Sequence, residues 1–205
     1  MYKKIIVFEG IDGSGKTYHI NEVSKYLTKK KIKFIRIREP GGSKNSETIR
    51  NLILNKKSNL KKKTDLLLYL AARNETFESL IKPNISKKVI LLDRFIYSTV
   101  AYQHYGFKID KTIINSLNYF ILGNIKPDFT FLHIVPLRNI KKNISGRKNR
   151  YDDFNKEFYK KVQRGFLKIL KHDKNKCIID TTQTKKNNME IIKKQINKLL
   201  KIDDK

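Results

Sequence analysis

Residues 5–17, IIVFEGIDGSGKT, restrict this chain more than any other stretch. The opening run is apolar almost without a break and too short for a helix. It predicts a strand buried on both faces, the kind found in the middle of a parallel sheet. A loop follows in which Gly10, Gly13 and Gly15 surround Ile11, Asp12 and Ser14. Such a loop gains little from burial and loses glycine's full conformational freedom. It makes sense where backbone N–H groups must converge on an anion. Lys16 and Thr17 complete the pattern G-x-x-x-x-G-K-[ST] over residues 10–17, with a strand before it and a helix after it. The N–H groups of residues 13–17 then wrap the phosphates of a nucleotide such as ATP at a helix N-terminus. Lys16 reaches the β- and γ-phosphates, and Thr17 offers its hydroxyl to Mg²⁺.

The rest of the chain repeats the strand–helix alternation. Strands are expected at 33–38, 87–93, 128–134 and 176–180. Helices are expected at 16–30, around 49–53, at 64–82, 95–105 and 110–122, from Pro136 to about 145, and at 153–171 and 186–201. This predicts an α/β protein with a five-stranded parallel sheet and helices on both faces. No internal repeat or linker interrupts it, so residues 1–205 are expected to form one domain. In VILLDRF, Asp93 ends an apolar strand, where open α/β sheets bind ligands. Asp93 there holds the Mg²⁺ shell and Arg94 directs its fork towards a second phosphate. Alone, the pair also fits a surface ion pair; beside the glycine loop the phosphate role is favoured.

The net charge of +27 points first to nucleic acid. However, 37 of the 46 basic residues are Lys, spread along the chain, and Asn and Ile are plentiful too. That is the signature of an AT-rich coding sequence. No basic patch is interleaved with aromatics, so no specific nucleic-acid partner is expected. Where Lys is the default cation, the nine arginines mark positions at which a planar fork matters. No apolar run is long enough to span a membrane, and the N-terminus lacks a signal-peptide pattern, so the cytoplasm is expected. The single Cys177 cannot form an internal disulfide and reads as a small core residue. The four histidines lack metal-ligand spacing.

Four further stretches occur in order: REPGG at 38–42, YLAARNE at 69–75, DRFIYSTVAYQ at 93–103 and IDTTQ at 179–183. Together with the glycine loop they resemble the thymidylate (dTMP) kinase family over nearly the whole chain. The resemblance implies the nucleoside monophosphate kinase version of the P-loop fold. It implies a homodimer that moves the γ-phosphoryl of MgATP onto dTMP in dTTP synthesis. It assigns Arg73 to the O4 edge of thymine, Tyr69 to the face of the base, and Thr99 and Gln103 to the pyrimidine edge. Tyr102 crowds the ribose 2′ position, Asp12 engages the acceptor's 3′-hydroxyl, and Arg94 and Arg50, with Arg38 of REPGG, belong to the acceptor site. Tyr69 would also suit a buried helix face, the less favoured reading. Position 13 is Gly rather than Arg, which resembles the bacterial-type class whose catalytic arginines sit in a lid. SGRKNRYDDF then supplies a lid at about 145–153 with Arg147 and Arg150.

Two rivals remain at this stage. One is a kinase for another nucleotide or a deoxynucleoside. The other is a basic nucleotide-switch or nucleic-acid-binding ATPase, whose hydrolysis polyanions stimulate and dTMP does not affect. A GTPase is disfavoured because no N-K-x-D motif is present.

Overall fold

The computed structural model describes residues 4–139, 150, 151 and 154–202. Five strands form the sheet: β1 (Ile5–Gly10), β2 (Phe34–Arg38), β3 (Val89–Asp93), β4 (Phe129–Ile134) and β5 (Lys176–Asp180). Their order is β2-β3-β1-β4-β5, and every neighbouring pair is parallel. The expected five-stranded parallel sheet is therefore present, within a residue or two of each expected strand.

The unbroken apolar run of β1 follows from its place at the centre. Alternate side chains leave a strand on opposite faces. Ile6 and Phe8 join a core with Ile20, Val23 and Leu27 of α1 (Lys16–Lys29) and with Ile192 and Ile196 of α7 (Lys185–Leu200). Ile5 and Val7 join the opposite core, with Ile90, Leu92, Phe95 and Leu122. Leu122 closes α5 (Lys111–Leu122). Both faces being covered, β1 has no use for polar residues until its last two positions.

The remaining helices among the described residues are α2 (Lys44–Leu54), α3 (Lys62–Thr76), α4 (Ile96–Thr99) and α6 (Lys156–Ile169). α2 begins earlier than its apolar spacing suggests, because Ser43 and Ser46 form a reciprocal capping box. The helices expected at 64–82 and 95–105 are present but change pitch. α3 passes into a π-helical turn at Phe77–Ile81, and α4 into a longer one at Val100–Gly106. π-turns accommodate an extra residue and often lie beside functional sites. The helix expected from Pro136 is only a 3₁₀ turn, Leu137–Asn139, within the described residues. α6 packs closely on the Val100–Gly106 segment because position 165 is glycine; a Cβ there would lie 2.6 Å from the ring of Tyr105.

Candidate active site

The parallel register brings the C-terminal ends of β1, β2 and β3 to one edge, with Phe8 opposite Asp93 and Asp93 opposite Arg38. A cavity of about 450 Å³ opens there. Its walls include residues 12–17, Arg38, Glu39, Arg50, Tyr69, Arg73, Asp93, Arg94, Thr99, Tyr102, Gln103 and Tyr151. Most residues expected to bind a nucleotide or an acceptor thus share one space.

At one end lies the glycine loop. Gly10 has φ +138° and faces the carbonyl of His133, 2.4 Å from where a Cβ would stand, so a side chain is excluded. Gly13 and Gly15 also have positive φ. Lys16 is buried, and its Nζ donates to the Ile11 carbonyl at 2.7 Å and to Ser14 Oγ at 3.3 Å. Burial, reinforced by the Arg94 charge, pushes the Lys16 ammonium down to about 8 against the pull of Asp93, Asp12 and Glu9. A polyphosphate would reverse that trend by supplying the missing negative charge. Thr17 Oγ1 donates to Asp93 Oδ2 at 3.3 Å. A hydroxyl and a carboxylate this close suit Mg²⁺, which takes few protein oxygens and completes its shell with water and phosphate. Among the described residues there is no cluster of three or more His, Cys, Asp or Glu that would hold a metal by itself.

Arg94 stands between this end and the rest of the cavity. Its NH1 donates to the Gly10 carbonyl at 3.0 Å and to Ser98 Oγ at 3.2 Å, and its NH2 donates to Asp12 Oδ1 at 2.6 Å. Tyr102 donates its hydroxyl to Asp12 Oδ2 at 3.0 Å, and its ring lies 5.3 Å from the guanidinium. Burial alone would raise the Asp12 carboxyl, but the Arg94 and Lys16 charges and the Tyr102 hydroxyl bring it below its ordinary value. Arg50 donates to the Pro40 carbonyl at 2.6 Å, while Arg38 is more exposed, 3.8 Å from Glu47. Arg38, Arg50, Arg94 and Lys16 around one opening make it attractive to anions.

The far wall is polar and buried. Arg73 is 3% exposed and donates Nε to Glu39 Oε2 at 2.8 Å and NH1 to Asn118 Oδ1 at 2.6 Å. Its guanidinium also lies over the ring of Phe95, 5.3 Å away. Burial raises the Glu39 carboxyl, and Arg73 counteracts this. Glu39 Oε1 and Gln103 Oε1 are buried without a hydrogen-bond partner among the described residues. Buried polar atoms of this kind call for a ligand or water to complete them. Tyr69 stands half-buried above, edge-on to Tyr151 at 6.1 Å.

A family model for thymidylate kinase matches residues 8–192. The chain belongs to the thymidylate kinase family. A thymidylate kinase of Sulfurihydrogenibium sp. (strain YO3AOP1) is 40% identical over 176 residues, covering 85% of this chain and 86% of the relative. One of Prochlorococcus marinus (strain NATL2A) is 39% identical over 215 residues, covering 98% and 99%. The crystal structure of thymidylate kinase from Ehrlichia chaffeensis superposes with a TM-score of 0.78 at 35% identity, over 96% of this chain and 100% of that one. The architecture is therefore that of a P-loop nucleoside monophosphate kinase.

The lid arginines expected of a bacterial-type thymidylate kinase fare differently from the other residues. Arg147 lies outside the described residues. Arg150 does not line the cavity: its NH2 donates to Asp65, its Nε donates to the Ile53 carbonyl at 2.5 Å, and it covers the ring of Tyr151. Ile11 is a core residue that contributes its carbonyl rather than its side chain. Sequence reasoning passed over Glu9, Glu39, Ser98, Asn118 and Tyr151. For Glu9 a signal existed, since an acid inside an apolar strand must have a buried partner. Cys177, expected in the core, is only half-buried at its margin.

Beneath the loop lies a feature without counterpart in the sequence patterns. His19 Nδ1 and His133 Nε2 are 3.0 Å apart and buried. Burial, with the charges of His19 and Lys16, pushes His133 from its ordinary 6.5 down to about 3. The unfolded chain therefore takes up a proton between those values that the folded chain refuses. Stability should be lost as pH falls below 6.5, by up to about 1.4 kcal/mol per pH unit for each proton excluded. Glu9, pushed up to about 7 chiefly by burial, works the other way between 4.5 and 7. Only a comparison isolates the histidine. In urea titrations from pH 7 to 4.5, His133→Gln is expected to lose less stability on acidification than the unmodified chain. Parallel pH profiles would show that the pair does not stay neutral.

Proposed function

We propose that this chain is a dTMP kinase that moves the γ-phosphoryl of ATP to dTMP, giving dTDP and ADP for dTTP synthesis. The observation that carries this is the continuity of one cavity from the phosphate loop to the wall of Arg73, Thr99 and Gln103. A nucleotide-driven hydrolase has no need of such a wall. Arg73 has more N–H groups than Glu39 and Asn118 consume, and a carbonyl at the pyrimidine edge would use them. Tyr69 offers its ring to the base.

The acceptor phosphate is already ionised, so no strong base is required. One of its oxygens bonds to the γ-phosphorus as the bond to the β–γ bridging oxygen breaks, and the electron pair leaves on ADP. Lys16, Arg94 and Arg50 offset the charge of the two anions and hold them in line. Asp12 and Tyr102 orient the sugar. Thr17 and Asp93 hold Mg²⁺, which when bound neutralises charge on the phosphate oxygens.

One kinase domain spans residues 1–205, with a lid at about 145–153. Arg147 and Arg150 are its arginines for the transferring phosphoryl, and Arg150 would serve only by leaving Asp65. The chain acts as a homodimer in the cytoplasm, without a specific nucleic-acid partner. In support of pairing, α3 and α5 share a buried cluster of Leu66, Leu70 and Ile114, while their outer sides expose Leu67, Ile113 and Phe120. Phe120 is 86% exposed, and it falls in a helical stripe with Ile113. No helix of the described residues is long and apolar enough to cross a membrane.

A coupled ADP-release assay with MgATP and a panel of dTMP, dUMP, dCMP, dGMP, AMP and thymidine tests the assignment. Release that depends on dTMP, with little from thymidine or the purine nucleotides, is expected. Preference for another acceptor would discard the roles of Arg73, Thr99 and Gln103. Release indifferent to every acceptor would overturn the kinase assignment.

A further inference from the structure

Arg94 adopts a backbone conformation that side chains other than glycine rarely take, with φ +71°. Something must hold it there. Its own N–H donates to the Phe8 carbonyl at 3.0 Å. The next N–H, that of Phe95, donates to Glu9 Oε1 at 3.0 Å, and so does the N–H of Ser98 at 3.1 Å. Two consecutive residues of β1 thus clamp the peptides on either side of Arg94.

The side chains continue the same arrangement. Ser98 donates its hydroxyl hydrogen to Glu9 Oε2 at 2.5 Å, and its Oγ accepts from Arg94 NH1 at 3.2 Å. A hydroxyl has one hydrogen to give. While Glu9 takes it, only lone pairs face the guanidinium, so Ser98 serves Arg94 as an acceptor. Glu9 is wholly buried and does not line the cavity, whereas Ser98 and Arg94 do. No substrate atom therefore reaches Glu9 directly, and a buried acid without such a task would be a liability.

We infer that Glu9 is a positioning residue, which through Ser98 and the Phe95 amide fixes Arg94 in the pose that receives the acceptor's phosphate. The inference rests on the acceptor role given to this end of the cavity. It goes beyond that role by naming what sets the arginine's direction.

Ser98→Ala is the primary test, since it removes the relay and leaves both backbone bonds of Glu9 in place. Glu9→Gln is the second; it keeps the shape, but its amide can donate to Ser98 Oγ and turn the hydroxyl hydrogen towards Arg94. Binding of dTMP and of thymidine is measured by calorimetry, with KM for dTMP and for ATP and the melting temperature alongside. Loss of one charge-assisted hydrogen bond predicts a KM for dTMP raised about tenfold in each variant. KM for ATP and thymidine binding should not change. A lowered melting temperature with an unchanged ratio of dTMP to thymidine affinity would make Glu9 merely structural and overturn the inference. If the unmodified chain does not prefer dTMP to thymidine, the acceptor role itself fails, and the inference with it. Should Glu9→Gln not fold, Ser98→Ala still decides the matter.

Discussion

Lys16→Ala is expected to lower kcat by on the order of 10³-fold or more while leaving the fold intact. The folded chain gives the ammonium little structural work: it caps the Ile11 carbonyl and touches Ser14 Oγ, and both are loop atoms. Burial beside Arg94 disfavours its charge until a polyphosphate arrives. The favourable interaction is therefore greatest when negative charge on the transferring group is greatest, which is the condition for a kcat effect rather than a uniform loss of binding. Rapid-quench measurement of a single turnover, with circular dichroism to confirm folding, checks this. A variant within a few-fold of the normal rate would remove Lys16 from the mechanism.

Arg73→Ala should produce the largest combined loss of stability and acceptor recognition. The guanidinium satisfies Glu39 and Asn118 in a buried setting, and removing it strands a carboxylate. Breaking a buried pair from one side costs about 3–5 kcal/mol. The Glu39 carboxyl already sits above its ordinary value, so protonation offers partial relief and the lower end, roughly 3 kcal/mol, is expected. For a chain of this length that lowers the melting temperature by about 6–12 °C. The double variant Arg73→Ala/Glu39→Gln separates the two effects. Its stability should recover in part, because no charge is stranded, while dTMP binding should stay weak. Recovery of dTMP affinity in the double variant would show that Arg73 only neutralises Glu39.

What could be read in the sequence was local in character. The strand–loop–helix at residues 5–17 and the strand ends at Arg38 and Asp93 carry their chemistry in adjacent residues, and register in a parallel sheet brings them together. Arg73 could be singled out from YLAARNE, but its partners lie 34 and 45 residues away and depend on tertiary packing. The same holds for Arg150, whose acid at position 65 comes from the far end of α3. The π-turns were not foreseen because one extra residue in a helical turn leaves the apolar spacing of its neighbours almost unchanged. His19 and His133, in different elements, meet only because β4 lies beside β1 and α1 folds back over β1.

The central place of β1 has a bearing on how the protein moves in time. All six of its residues are buried, and it is bonded along both edges to β3 and β4. Amides in such a strand exchange with solvent only when the whole domain opens, whereas edge strands and surface turns exchange through local fluctuations. The glycine loop is thus suspended from one of the sheet's central strands, which are expected to open last. Deuterium would be expected to enter β2 and β5 long before β1. The entry and departure of a nucleotide then proceed on the clock of the surrounding walls, without borrowing from the lifetime of the folded state.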